Sequence, residues 1–368
     1  MRVLIVKVSS LGDIIHTLPA VTDAKNANRR LQFDWVVEES FAEVPAWHPG
    51  VERVIPVAFR RWRKGIFSAL RSGEFAAFNE DLKQTHYDLV IDAQGLIKSG
   101  IISRLSRGLT IGLSNSTVKE PLATLFYNKR ISVPREEHAV QRVRELFSRA
   151  LNYPLLPANM ESIDYGLNLA RIGVTENLQD SGMLVFLHGT TWQSKHWPEP
   201  YWRELARLAT AHGYTVRLPW GNDNERKRAH AIADGIAGVS VLERQTLTGM
   251  AQQIALADGV IGVDTGLGHL AAALATPTLT LYGPTNPGLA GTFGRHQARL
   301  SSTLPCAPCM SKTCHYEGPA ITDSVTTDSG DSKEFTVRPP CFSSNPPAQA
   351  LAALEQVMAQ RKRSIRIA

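Results

Sequence analysis

Between Gly259 and Leu274 the chain reads GVIGVDTGLGHLAAAL, an apolar run that ends in a charged, glycine-rich turn and continues into an alanine-rich segment. A strand ending at Val263 delivers Asp264, Thr265 and Gly266 to the first turn of a helix. Unpaired N–H groups and the positive end of the helix dipole favour a phosphate there. His269 lies one turn further in, and Gly266 and Gly268 let a ligand come close to the backbone. Asp264 or Thr265 could cap the helix or hold ligand hydroxyls. A second segment of this kind, HGTTWQSKHWP from His188 to Pro198, follows the apolar run MLVFL. The hydroxyls of Thr190 and Thr191 and the ammonium of Lys195 suit a diphosphate, and Lys195 could neutralise charge on a leaving group. The plainer role of this stretch is a surface loop whose Trp197 and Pro198 staple the next helix. PWGNDNE places Glu225 after a further strand, as a ribose or base contact.

The chain opens with an apolar run followed by Lys7-Val8-Ser9-Ser10-Leu11-Gly12-Asp13-Ile14-Ile15-His16. The GxxxxGK[ST] spacing of a phosphate-binding loop is missing. Asp13 falls in a first helical turn, where the dipole keeps a carboxylate ionised. It reads as a helix-start residue or, if it faces the phosphate site, as a general base. Arg60, Arg61, Arg63 and Lys64 surround Trp62, and Arg361, Lys362, Arg363 and Arg366 make a basic tail; either group could simply be solvated. Cys306, Cys309, Cys314 and Cys341 permit a zinc or iron-sulfur site by spacing, but the neighbouring His and carboxylate spacing matches no standard module. Reduced thiols are the expectation in a reducing cytoplasm.

These segments need rigid elements to position them. Up to about residue 150, strand-like runs (VLIVKV, FDWVVEE, VERVIPV, YDLVIDAQG, IGLS) are separated by helix-like stretches; from Met183 a second series begins with MLVFLHG, TVRLPWG, VSVLE, GVIGVD and TLTLYGP. The alternation predicts two doubly wound α/β units, parallel sheets with helical crossovers, joined near Tyr153 to Asn177. Ligands belong at the carboxyl ends of such strands. TDSVTTDSGDSKE reads as a polar loop, and a final helix from Ala348 to about Arg361 is free to pack back across the domain junction. At 368 residues, 43% hydrophobic and 20% charged, the chain suits two ordinary globular domains rather than a disordered or membrane-spanning protein. No stretch nears the roughly 20 apolar residues of a transmembrane helix, and no secretory signal is evident. The expected compartment is the cytoplasm. A net charge of +6 favours phosphate-bearing ligands or an anionic surface, and no nucleic-acid-binding signature accompanies it.

Taken together, MRVLIVKVSSLGDIIHTLPA, FDWVVEE, VERVIPVAFRRWRK, YDLVIDAQGLIKS, EPLATLFYN, HGTTWQSKHWPE, LPWG and GVDTGLGHLAAAL followed by PTLTLYGPT resemble, in order over roughly residues 1 to 295, the lipopolysaccharide heptosyltransferases of Gram-negative bacteria, glycosyltransferase family 9. The resemblance implies a GT-B fold, two Rossmann-like domains facing each other across a cleft. An acceptor domain would span residues 1–165, an ADP-heptose-binding domain 178–345, and a C-terminal helix and basic tail 346–368. It implies that Asp13 is the base for the acceptor hydroxyl and that Thr190, Thr191 and Lys195 hold the donor phosphates. Glu225 would hold the nucleoside and Asp264 the heptose hydroxyls, with Thr265, Gly266 and His269 in the same donor loop. Ser10, Arg60, Arg61, Arg63 and Lys64 would receive the acceptor, Kdo2-lipid A, at the cytoplasmic face of the inner membrane. One inverting displacement with no covalent intermediate and no required metal or cofactor is the implied chemistry. The segment Leu304 to Phe342 is similar to the tail of family members that act on an already heptosylated core, so that acceptor is the alternative. Gln245 stands where an apolar residue near adenine is expected. A nucleotide-sugar-binding or epimerising protein on this scaffold would not need the cations from Arg60 to Lys64, and a metal-bearing interaction module would rest on the late cysteines.

Overall fold

The computed structural model describes residues 1–65, 71–175, 181–326 and 330–367. Residue 178, the expected start of the second domain, lies outside them, as do Asn177 and the side chain of Arg366. The chain forms two compact units: Met1–Ala158 with Asp164–Ile172, and Asn159–Ile163 with Gly173–Ala368.

In the first unit β1 (Arg2–Val6), β2 (Gln32–Glu38), β3 (Val51–Val57), β4 (His86–Asp92), β5 (Arg107–Leu113) and β6 (Lys129–Ile131) form one sheet in the order β3-β2-β1-β4-β5-β6. Every pairing is parallel. β1 and β4 are neighbours although three strands apart in sequence, so the crevice where the order reverses opens between their carboxyl ends. The connecting helices include α1 (Leu11–Ile15), α2 (Leu18–Ala27), a single turn α3 (Phe59–Trp62), α4 (Ile97–Leu105) and α5 (Ala139–Leu151). Leu4, Val6, Val36, Ile55, Val90 and Ile102 are among the buried residues of the core around this sheet.

The second unit repeats the plan. β7 (Met183–Leu187), β8 (Thr215–Leu218), β9 (Val239–Val241), β10 (Gly259–Val263), β11 (Thr278–Tyr282) and β12 (Gln297–Ser301) run parallel in the order β12-β11-β10-β7-β8-β9, with the reversal between β10 and β7. β7, β10 and β11 are buried along their whole length. Their unbroken apolar runs are what a parallel sheet covered on both faces requires. Its helices include α6 (Glu199–Ala211), α7 (Asp223–Ala233), α8 (Leu247–Ala255), α9 (Gly266–Ala273) and α10 (Pro347–Ile367). Pro198 caps α6, and Trp197 before it is 2% exposed, packed edge-on against Trp202 at 4.9 Å, so the staple role of this pair is real.

The final helix, α10, packs Ala350, Leu351, Leu354 and Met358 into the second unit's core. A Cβ added at Gly259 would lie 2.9 Å from Met358 Sδ and 3.0 Å from Leu354 Cδ2, so a strand glycine makes room for the helix. The TDSVTTDSGDSKE stretch corrects the loop expectation: β13 (Thr322–Thr326) and β14 (Ser332–Thr336) pair as an antiparallel hairpin. Tertiary contacts stabilise it. Phe335 packs edge-on against Tyr201 at 5.2 Å, and the Tyr201 hydroxyl donates to Asp323. Replacing Leu354 with alanine should cost about 2–5 kcal/mol in urea unfolding, because the side chain is fully buried and the β-sheet below cannot collapse into the space.

Candidate active site

In the first unit the reactive turn starts where β1 ends. Lys7 is buried with its Nζ donating to the Ala93 carbonyl at 2.8 Å and lying 3.7 Å from Asp13 Oδ1. Ser10 donates twice to Asp13 Oδ2, through its backbone N–H and its hydroxyl, both at 2.8 Å. Gln94, just past β4, accepts the backbone N–H groups of Val8 and Ser9 through its amide oxygen at 3.0 and 2.9 Å. The β1 turn is thus tied across the crevice to the β4 end. Asp13 is lodged against this wall with 44% of its side-chain surface open to solvent. Burial works to raise its pKa, but Lys7, the two Ser10 donors and Lys119 outweigh burial and hold the carboxyl below its ordinary 3.8. Asp13 is therefore an anion with one open side, aimed from the first turn of a helix.

The basic group near Trp62 divides. Arg61 is engaged by two carboxylates, Glu39 at 3.1 Å and Glu74 at 2.6 Å, and the Arg60 guanidinium lies over the Phe41 ring at 4.6 Å. Arg63 and Lys64 are exposed beside them. Of the four expected acceptor cations, Arg61 is thus already neutralised within the unit and serves to fix α3.

In the second unit Asp264, at the β10 end, gathers Lys195, Thr285, His269 and Thr190 around it. Its Oδ2 accepts from Lys195 Nζ at 2.7 Å and from the Thr285 hydroxyl at 2.9 Å; His269 Nε2 lies 3.7 Å from Oδ1. Thr190, beyond β7, donates to the Asp264 carbonyl at 3.1 Å. Burial pushes the Asp264 carboxyl up, but His269 and Lys195 outweigh burial and keep it well below 3.8. Lys195 also lies 4.4 Å over the Trp192 ring. Thr265 stands at the N-cap of α9 in extended conformation without its side chain capping the helix, and Gly266 opens the helix. The capping alternative for Asp264 and Thr265 gives way to a charge cluster at the mouth of the helix. Thr191, exposed, follows the half-buried Thr190 in the same loop.

Glu225 sits across the β7–β8 side of the crevice. Asn222 caps α7 by accepting from the Glu225 N–H at 3.1 Å, and the Glu225 carboxylate accepts from the Gly221 N–H at 2.7 Å. A Cβ on Gly189 would lie 2.7 Å from Glu225 Cδ, so glycine is needed for the loop to pass the carboxylate. Burial, then Arg228, pushes His188 and His196 down to about 4, leaving both rings neutral at pH 7 and Lys195 as the cation of the loop. Gln245 donates to the Glu243 carbonyl just before α8. A cavity of about 540 Å³ in this unit is lined by Gln193, His196, Arg228, Cys314 and Arg338, among others, and by none of Thr190, Lys195 or Asp264. The charge cluster around Asp264 lies outside this hollow.

The late cysteines are neighbours without being a ready ligand set. Burial, and then Cys314, Cys309 and Cys306, push the Cys341 thiol up to about 12. Cys341 is buried against Gly283 while the other three are exposed, and among the described residues no three His, Cys, Asp or Glu side chains are arranged to hold an ion. Sequence reading passed over Lys7, Gln94, Lys119 and Thr285. Lys7 had a signal, a lysine closing an apolar strand before a polar turn; the others act from distant loops that spacing along the chain does not connect.

Two Rossmann-like units, with charged turns at both reversal points, are the architecture of a GT-B glycosyltransferase. Residues 75–319 match glycosyltransferase family 9 (heptosyltransferase). The chain is 51% identical over 363 residues to lipopolysaccharide heptosyltransferase 1 of Pseudomonas aeruginosa, covering 97% of this chain and 98% of that one. It is 50% identical over 299 residues to lipopolysaccharide heptosyltransferase 1 of Escherichia coli K12, covering 81% and 92%. The structure of E. coli heptosyltransferase WaaC with ADP superposes with a TM-score of 0.77 at 49% identity, over 81% of this chain and 92% of that chain. The chain belongs to glycosyltransferase family 9, the heptosyltransferases. The P. aeruginosa match leaves too few residues outside it to omit the cysteine-bearing segment, so the tail does not point to the enzymes of the heptosylated core as expected above.

The Asp264 geometry sets a pH-dependent test. Its folded pKa lies below the ordinary value, so its stabilising effect is complete above about pH 4 and is lost as pH falls through the folded pKa. Asp264→Asn should destabilise the protein by about 3 kcal/mol at pH 7, because it strands the half-buried Lys195 partner. Urea unfolding at falling pH should show that gap close below pH 4.

Proposed function

We propose that the chain transfers L-glycero-D-manno-heptose from ADP-heptose to a Kdo residue of Kdo2-lipid A, with the acceptor on the first unit and the donor on the second. The relatives' names supply the sugar and the glycolipid class. The observation that carries the mechanism is Asp13, an open-sided carboxylate held ionised by Lys7 and Ser10 at the end of β1. Asp13 takes the proton of the acceptor hydroxyl as that oxygen attacks the anomeric carbon of heptose. The bond from this carbon to the β-phosphate oxygen breaks, its electron pair leaves with ADP, and configuration inverts.

Thr190, Thr191, Lys195 and the N-terminus of α9 bind the diphosphate, so positive charge is in place where negative charge develops. On this reading they supply what a divalent cation would otherwise supply, and turnover persists in EDTA. Asp264 and His269, with Thr265 and Gly266, hold the heptose hydroxyls. Glu225 takes the nucleoside. Arg60, Arg63 and Lys64 receive Kdo carboxylates and lipid A phosphates, while Ser10 both orients Asp13 and meets the acceptor. The acceptor is a membrane lipid, which places the working protein peripherally on the cytoplasmic face of the inner membrane. Among the described residues no helix is long and apolar enough to cross a membrane.

The test incubates purified protein with ADP-heptose and Kdo2-lipid A in EDTA and follows the glycolipid by mass spectrometry. A gain of one heptose is expected. Asp13→Asn should lower kcat by about 10²–10⁴-fold with ADP affinity unchanged. Because Asp13 is held below 3.8, the wild-type rate should show no loss from this group on lowering the pH from 8 to 5.5. No heptose gain under these conditions, with ADP-heptose still bound, would overturn the assignment of acceptor.

A further inference from the structure

The first unit carries an apolar ridge that its own core does not use. α4 and the 3-10 turn Pro121–Phe126 pack at close range: a Cβ on Gly100 would lie 2.6 Å from Phe126 Cδ2 and 3.2 Å from the Ala123 carbonyl. Phe126 and Ala123 therefore face α4. Leu122 and Leu125, three apart, eclipse each other on the opposite side of a 3-10 turn. They are 61% and 73% exposed, and Ile97 and Ile101, one turn apart on α4, are 37% and 44% exposed. Isolated exposed leucines need no explanation, but here two elements packed on each other each expose a pair of large apolar side chains.

Cations flank these pairs. Arg104 continues the Ile97–Ile101 stripe and is exposed; Lys119 precedes the turn; Lys129 and Arg130 follow it, with Arg130 Nε donating to the Thr124 carbonyl at 3.2 Å. Glu120 is the acid beside them, and its carboxylate accepts the Ile97 N–H at 2.8 Å. Lys98 Nζ lies 5.5 Å over the Phe59 ring, which brings the start of α4 next to the turn bearing Arg60, Arg63 and Lys64. Lys98 thus joins the base of this surface to the cationic turn proposed to receive the acceptor.

We infer that Ile97, Ile101, Leu122 and Leu125, framed by Lys98, Arg104, Lys119, Lys129 and Arg130, are the surface by which the first unit docks on an anionic bilayer. Apolar side chains that enter the headgroup boundary, ringed by cations that meet lipid phosphates, are the chemistry of interfacial binding. Five cations against Glu120 among the residues named here favour an anionic surface over a protein partner. The inference rests on the reading of the acceptor as a membrane lipid, and it names the surface that brings the enzyme to it.

The experiment measures sedimentation of the full-length protein with vesicles of phosphatidylethanolamine and phosphatidylglycerol, without either substrate, so that it does not depend on the proposed reaction. Leu122→Ser with Leu125→Ser should reduce the bound fraction's partition coefficient by about tenfold or more, with thermal midpoint unchanged because both side chains are exposed. Leu125→Trp should retain or tighten binding, and phosphatidylcholine vesicles should bind weakly. With a water-soluble, deacylated Kdo acceptor the double variant should keep wild-type turnover, while KM for vesicle-embedded acceptor rises. Equal vesicle binding by wild type and the double variant would overturn the proposal. So would a dimer in sedimentation velocity that the double variant abolishes while vesicle binding is absent.

Discussion

A buried ammonium is the constraint on which the first unit's active turn depends. Lys7 ends a strand that runs through the centre of a parallel sheet, and its side chain keeps only 8% of its surface exposed. A charge in that position is tolerated only with compensation. The Ala93 carbonyl at the β4 end, the Asp13 carboxylate on α1 and nearby Asp92 offset part of the cost, while burial, the largest influence, still lowers the Lys7 pKa. Compensation of Lys7 therefore fixes the geometry of two loops. It also works in reverse, since the cation that needs Asp13 is the one that keeps Asp13 ionised.

The second unit solves the same problem in the same topological place. Its sheet reverses between β10 and β7, and the two turns there contribute Asp264 and Lys195, joined at 2.7 Å. Each unit thus places a carboxylate–ammonium pair beyond the carboxyl ends of its central strands. The pairs differ in access. Asp264 is 13% exposed and held from three sides, whereas Asp13 at 44% keeps a face open, a difference that matches the roles proposed for them.

Much of this was legible from residue types. The alternation of apolar runs predicts both sheets because parallel strands covered on two faces must be apolar throughout, and MLVFL and GVIGV are buried without a break. The strand-to-helix turns put Asp13, Lys195, Glu225 and Asp264 just beyond apolar runs in the sequence, and the fold places each of them past a strand end, while the capping and loop roles of such turns are written in the same residue types. The edge strands β6 and β12 were missed since three to five half-exposed residues carry little periodic signal. The α5 helix had a signal, in Val140, Val143, Leu146 and Phe147 on one face, that went unread. The β13–β14 hairpin was illegible because its polar sequence is stabilised by Tyr201, far away in the chain. Arg61 shows the limit for charges: its basic run leaves a ligand role and a solvated one open, and only the fold reveals Glu39 and Glu74 beside it.

Lys7 is the first cation that holds Asp13, the base of the proposed reaction, in its ionised form. The most direct measurement is the pH dependence of kcat/KM for Lys7→Met, with ADP binding as the control for folding. Loss of a neighbouring cation should move the acid limb upward by about one unit or more relative to the wild type. An acid limb unchanged by the substitution, in a variant that still binds ADP, would contradict the account.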